Sequence, residues 1–324
     1  MRKILSIFLV TLPLLSVAQF APPAGQEGTT AMHADSSAFV AWAVECVVER
    51  GPMRIDQPDN GLASYGVDAD GVGKADGTTL VSLGDGGNAV LTFESPICNA
   101  PGPDFAVFEN PLENAQQQGF FFLEMGFVEV SSDGEHYFRF PAISNIPEYP
   151  QVGSFGCVEP QLVHNLAGKY APMYGTPFDL DEIEDNEMLD KYNITHVRIV
   201  DVVGNIDPDY ATYDSQGHIV NDPWPTPFAS SGFDLDAVGV IHDKAHFGVN
   251  DNNASSMVVY PNPVQNILSV KAENVTSIAV FSLTGQKVLE FHGNHVDVSM
   301  LSQGIYFAQV EADGSVVVKK IVKK

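Results

Sequence analysis

The sequence predicts an all-β protein, a jelly-roll-like β-sandwich followed by a small Ig-like β-sandwich. Three observations carry that expectation. Short apolar runs rich in Val, Ile and Phe recur along the chain. Glycine-containing turn dipeptides separate them, supplying the positive φ that hairpins need. At 44% hydrophobic, the 324 residues can bury a core, and their number points to about two domains, since all-β units often run to roughly 200–250 residues.

The first element is a targeting segment. Arg2 and Lys3 precede an apolar run over residues 4–15, and Ser16, Val17 and Ala18 follow. Charged, apolar and small residues in that order read as a secretory signal over residues 1–18, cleaved after Ala18. A bilayer span needs about 20 apolar residues, and Pro13 interrupts a run already shorter than that. The expectation is therefore an exported chain with no transmembrane segment after signal cleavage. No cysteine near the cleavage point offers an acceptor for lipid. In an oxidising compartment the three cysteines Cys46, Cys98 and Cys157 suggest one disulfide and one thiol. Cys98 and Cys157 lie in Pro/Gly-rich, loop-like surroundings and form the expected pair.

Residues 30–248 form the large sandwich. Its expected strands fall at 89–93, 105–108, 120–130, 196–203 and 235–241, punctuated by Asp76-Gly77, Asp85-Gly86 and Asp133-Gly134. One helix is expected within the acidic stretch 179–190, where Leu180, Ile183 and Met188 share a face. Residues 249–257 are polar and turn-rich, a linker between two charge regimes. Residues 19–257 carry eight basic and 36 acidic side chains, whereas residues 258–324 carry six Lys and five acids. The net charge of −25 excludes nucleic acid, a polyanion that binds cationic surface. It disfavours anionic membrane surfaces for the same reason.

Several residues in the large domain carry chemistry. Asp234 and Asp236 share a strand face by the two-residue alternation, opposite Phe233, Leu235, Ala237 and Ile241. Glu124 falls on the apolar parity of Phe122, Val128 and Val130, and Arg198 on that of Val200 and Val202. A buried charge must be paired or neutralised. A bidentate Glu124–Arg198 contact across neighbouring strands solves both problems, and the alternative places them in the polar floor of a ligand cleft. Asp201 faces the other way, to cap or to coordinate. Trp224, on the Pro-rich loop 221–228, either stacks on a sugar ring or plugs the end of the core. Residues 68–76 resemble a calcium loop but lack its closing Glu, so a polar turn is expected. His242 and His246 read as isolated surface histidines. No nucleophile elbow, phosphate loop or dinucleotide fingerprint is present.

Residues 258–324 form the last element. Alternating strands, tight Gly turns and prolines confined to the entrance describe a small antiparallel sandwich. Tyr260-Pro261-Asn262-Pro263 opens it, and a hairpin turns through Gly285. Gly304 and Tyr306 follow, and Lys319 and Lys320 lie near its end. These motifs, in this order, closely resemble the type A C-terminal sorting domain of the type IX secretion system of Gram-negative bacteria. The resemblance implies transport across the outer membrane by the type IX secretion machinery and handling by its sortase. It implies an outer cell surface or extracellular location.

The large domain resembles a family of bacterial cell-surface proteins without assigned activity, through the blocks at 81–87, 102–110, 127–134, 165–169, 175–180, 197–204 and 232–240. Its style looks like that of jelly-roll carbohydrate-binding modules, which often hold calcium between a final-strand Asp and an early loop. That analogy implies a calcium site built from Asp104, Glu109, Asn110, Asp234 and Asp236, and an extracellular glycan or another extracellular ligand as what it binds. The expected function is therefore a secreted surface binding protein, stabilised by calcium. A carboxylate-dependent glycoside hydrolase and a structural surface or adhesion protein are the alternatives.

Overall fold

The computed structural model describes residues 20–247, 258–272, 274–282, 287–312 and 315–324. The signal segment 1–18, the linker 249–257 and Gly285 lie outside the described residues. The chain divides into two compact units, 1–242 and 243–324.

Two antiparallel sheets build the large unit. One runs in the order Met32–His33, Tyr174–Phe178, Phe105–Phe108, Ala237–Val240, Ala41–Trp42. The other runs Phe138–Arg139, Gly126–Ser131, Ile194–Asp201, Asn88–Ile97, Glu45–Glu49, with Leu166–Ala167 also paired to Gly126–Ser131. They share one core, in which Phe105, Val107, Val238 and Val240 meet Leu91, Val128, Val197 and Ile199. The strand Phe105–Phe108 is buried on both faces. Its outer residues Ala106 and Phe108 pack with Ala34, Phe39 and Trp42, which is why it reads as an unbroken apolar run. By contrast Ile194–Asp201 alternates, with Val197, Ile199 and Asp201 inward.

Three expectations are corrected. The run 120–130 is two strands, Phe121–Phe122 and Gly126–Ser131, so Glu124 sits where the chain has left the sheet. The strand 235–241 breaks at Asp236, between Asp234–Leu235 and Ala237–Val240. Phe233 and Leu235 face the main core as expected, but beyond the break Val238 and Val240 take over and Ala237 turns to the opposite face. One extra residue shifts the alternation by one. The helix over 179–190 is also absent: a 3-10 turn spans Leu180–Glu182, Ile183 and Leu189 are buried, and Met188 is exposed.

Arg198 pairs with Glu129, not with Glu124. Register places Glu129 directly opposite both Arg198 and Arg139 on adjacent strands. Arg139 Nε donates to Glu129 Oε1 at 2.8 Å and Arg198 Nε to Oε2 at 2.6 Å. The guanidinium of Arg139 lies 4.2 Å from the Phe127 ring centroid and that of Arg198 3.9 Å from the Tyr137 centroid. Glu129 serves two partly solvated cations. E129A is therefore expected to cost about 1–3 kcal/mol, more than R139A, which removes one donor and leaves a complete pair. Thermal melting of both variants checks this, and equal losses would show that the carboxylate is not shared.

In the small unit, Val258–Tyr260, Ile267–Lys271 and His295–Asp297 form one sheet. Lys287–Phe291, Val275–Phe281, Gly304–Ala312 and Ser315–Lys323 form the other. Leu268 and Val270 meet Ile278, Val280, Val310, Val317 and Ile321 in its core. The opening motif closes this sandwich. Asn262 Nδ2 donates to the Lys320 carbonyl and its Oδ1 accepts from the Val322 N–H, both at 2.9 Å. Val264 exchanges backbone bonds with Val322 and Lys324. Tyr306 donates its hydroxyl proton to the Ser302 carbonyl at 3.1 Å.

Candidate functional site

A cleft of about 480 Å3 opens in the large unit. Phe122, Phe155 and Phe228 supply its apolar walls. The Phe155 and Phe228 rings lie 5.9 Å apart, and Phe155 is 77% exposed. Asn110, Asn114, Gln116 and Glu113 supply polar groups around it. Glu109, Glu124 and Asp234 supply buried carboxylates.

Each carboxylate arrives from a different element. Glu109 directly follows the strand Phe105–Phe108. Glu124 stands in the break between Phe121–Phe122 and Gly126–Ser131. Asp234 lies on the short strand paired with Val81–Ser82 and accepts the Ser82 hydroxyl. Glu109 is 3% exposed and Glu124 is 7% exposed. Among the described residues, Glu109 Oε2 and Glu124 Oε1 have no hydrogen-bond partner.

Burial pushes both glutamates well above the ordinary carboxylate range, and the neighbouring Asp234 charge pushes them further. Burial raises Asp234 to about 7, against the opposing effects of the Ser82 hydroxyl and of Arg50. The Arg50 guanidinium donates to the carbonyls of Tyr65, Ser82 and Gly66, so its N–H groups are committed to backbone.

Asp85, Asp201 and Asp222 line a small cavity together with Glu124, and all three are buried and hold backbone. Asp201 accepts from the Gly86 N–H at 2.9 Å and the Phe233 N–H at 2.7 Å, capping backbone, one of the two roles expected of it. Asp222 accepts from the Met125 N–H at 3.1 Å. Gly84 and Gly232 let these segments meet: at φ of 76° and 72°, a Cβ would sit 2.4 Å from the Gly51 carbonyl oxygen and 2.7 Å from Asp201 Oδ1 respectively. The block at 81–87 thus encodes a close backbone approach.

The five residues expected to hold calcium do not all come together. Asp104 and Glu109 stand at opposite ends of one strand, about 16 Å apart at 3.3 Å per residue. Asp104 accepts from the Ala100 and Leu180 N–H groups, both at 2.9 Å, and is 2.8 Å from His242 Nδ1. Asp236 accepts from the Asp76 and Gly77 N–H groups. Calcium needs six to eight oxygens around one point; Glu109, Asn110 and Asp234 line one cleft, and Asp104 stands too far from Glu109 to join them. Among the described residues no three acidic, His or Cys side chains converge closely enough for one metal ion.

Other expectations also move. Trp224 does not line the cleft: its Nε1 donates to Asp85 at 2.9 Å, and Arg54 lies 5.3 Å from the ring centroid. His242 is not a surface residue, since its ring is held by buried Asp104. No disulfide joins Cys98 to Cys157: Cys98 is buried beside the His242 backbone, whereas Cys157 lines the cleft. Of the expected site residues, Glu124 lines the cleft together with Glu109, Asn110 and Asp234 of the expected calcium set, whereas Arg198, Trp224, Asp104 and Asp236 do not. Phe122, Phe155 and Glu113 were not expected; Phe122 lies in the run Phe120-Phe121-Phe122, whereas Phe155 and Glu113 carry no such signal.

A larger cavity of about 590 Å3 is lined by Arg139, Glu182, Asp185 and Asp214. Three of its carboxylates already have partners: Asn165 and His164 on Glu182, Lys191 on Asp185, and the Ser144 N–H on Asp214. Among the described residues, the smaller cleft is lined by two buried carboxylates that each leave one oxygen without a partner, Glu109 and Glu124.

Residues 258–324 match the family described as "Secretion system C-terminal sorting domain". A comparison with curated protein sequences gives no match. Among solved structures, the chain is similar to one titled "Biofilm associated protein - BSP domain", at 10% identity and TM-score 0.19, covering 73% of this chain and 48% of that one. It is also similar to "Lactobacillus rhamnosus Beta-glucuronidase", at 9% identity and TM-score 0.19, covering 86% of this chain and 45% of that one. The chain spans about half the length of each.

Proposed function

We propose that this chain, which type IX secretion carries to the cell surface or the extracellular space, is a binding protein that takes a glycan in the cleft of its large unit. In this reading residues 1–18 are removed on export. One observation carries the proposal: exposed phenylalanine faces stand beside amides and buried carboxylates in a single cleft. Aromatic faces cover the apolar side of a sugar ring, and the polar groups around them fix its hydroxyls.

The same residues support a second reading, glycoside hydrolysis. Burial raises Glu109 and Glu124, and a carboxyl held protonated at neutral pH is what a general acid requires.

A glycan array probed with the chain from residue 19 onward tests the first reading. Saccharide binding that F155A removes is the expected result, because Phe155 is exposed and its loss leaves the core intact. Silence across the array overturns it and favours a structural or adhesive role. Release of shortened sugars from a bound glycan selects the hydrolase.

A further inference from the structure

We infer that the cleft recognises an ammonium group, so that its ligand is a sugar bearing a free amine, with the cation at Glu109 and Glu124 and the ring against Phe155 and Phe228. The amine part rests on charge and on unspent acceptors; the sugar part rests on the glycan reading above.

The lining of the cleft contains four acids, Glu109, Glu113, Glu124 and Asp234, and no Lys or Arg. Two of its buried acceptors, Glu109 Oε2 and Glu124 Oε1, have no partner among the described residues. Buried polar groups in folded proteins are satisfied with few exceptions, and each exception asks for an explanation. A neutral hydroxyl would satisfy the acceptors one at a time and would leave both carboxyls in the uncharged form that burial favours. A cation donates several hydrogen bonds and favours the ionised form of both carboxyls, which burial and their mutual repulsion otherwise disfavour.

The same geometry separates an organic cation from a metal ion. A metal must gather its ligands around a single point, and among the described residues no three such side chains converge in that way. An ammonium on a ligand a few atoms across places its donors wherever the acceptors stand. Phe122, Phe155 and Phe228 add electron-rich faces that attract a cation or cover a ring. With Asn110, Asn114 and Gln116 at hand for hydroxyls, an amino sugar uses every kind of group in the cleft.

The test is calorimetric titration of the chain from residue 19 onward with four probes: a glucosamine tetramer, an N-acetylglucosamine tetramer, cadaverine and calcium chloride. The glucosamine tetramer is expected to bind at least about tenfold more tightly than its acetylated counterpart, the size of one charge-assisted contact. E109Q and E124Q are each expected to abolish that preference without lowering the melting temperature, since glutamine keeps the shape and, like the protonated carboxyl it replaces, carries no charge. F155A is expected to weaken both sugars equally.

Equal or tighter binding of the acetylated tetramer overturns the ammonium inference and leaves the glycan reading standing. Binding of cadaverine with neither sugar bound upholds the ammonium and overturns the glycan reading. Calcium binding that E109Q and E124Q remove overturns the inference, because the occupant is then a metal ion. Silence toward all four probes overturns both.

Discussion

Deleting residues 258–324 is expected to empty the cell surface and the medium of this protein, leaving the large unit trapped within the cell envelope. Those residues match the secretion system sorting domain, and the large unit has its own core, sharing no residue with theirs. The deletion therefore removes the transport signal without unfolding the cargo. Surface labelling and immunoblotting of cell fractions measure the outcome, and undiminished surface protein would overturn the assignment. L268D and V280D should reproduce the deletion. Both side chains are fully buried in the small core, a buried unpaired charge costs several kcal/mol, and a unit of this size has little stability in reserve. Export that survives either substitution would mean that the signal is read from a linear stretch, not from a folded sandwich.

The second large effect is a fall in stability as pH rises from 5 to 8. Burial raises Asp234 to about 7 and Asp236 to about 6. It also moves Glu109, Glu124, Asp201 and Asp222 upward. A carboxyl with a raised folded-state pKa binds its proton more tightly when folded. Its contribution is thus complete below the unfolded value near 4 and is lost as pH climbs through the folded value. Asp234 and Asp236 together set a ceiling of roughly 7 kcal/mol at about 1.4 kcal/mol per tenfold change in proton affinity. Water entry and local relaxation cut this to about 2 kcal/mol, or about 4–8 °C in melting temperature.

At the acid end the sign reverses. Thr78 and Thr79 hold Asp76 down at about 2, and His136 holds Asp133 low, so their contributions vanish as pH drops below 4. The melting temperature should peak between about pH 4 and 5. D234N should flatten the descending limb by removing one of the ionising groups. A melting temperature that climbs steadily from pH 5 to 8 would overturn this account.

Much of the fold was legible in the sequence, for physical reasons that differ from strand to strand. Phe105–Phe108 could be read residue by residue because both of its faces are covered, which leaves no polar position to confuse the pattern. The alternation in Ile194–Asp201 was equally plain. At Asp236 periodicity failed, because one additional residue inverts everything downstream and no local signal announces it. Glu124 failed similarly: parity was counted through a segment that is not a strand. Arg198 was rightly seen to need a carboxylate, but choosing Glu129 over Glu124 requires register, which only the neighbouring strands define. The cleft was least legible. Glu109, Glu124 and Asp234 are far apart in sequence, and Trp224 drew attention as the largest ring while Asp85 and Arg54 occupied it.

The small unit has an outer strand, Ser315–Lys323, whose free side would ordinarily be an invitation to other chains. Asn262 and Val264 take up backbone groups at Lys320, Val322 and Lys324, and Lys319 and Lys320 place positive charge along the same stretch. Flanking charge and occupied backbone are what discourage one sheet from templating onto the next. This edge of the sheet is thus poorly disposed to pair with the same edge of a second copy, which leaves the sorting unit able to stay separate from its neighbours along that side.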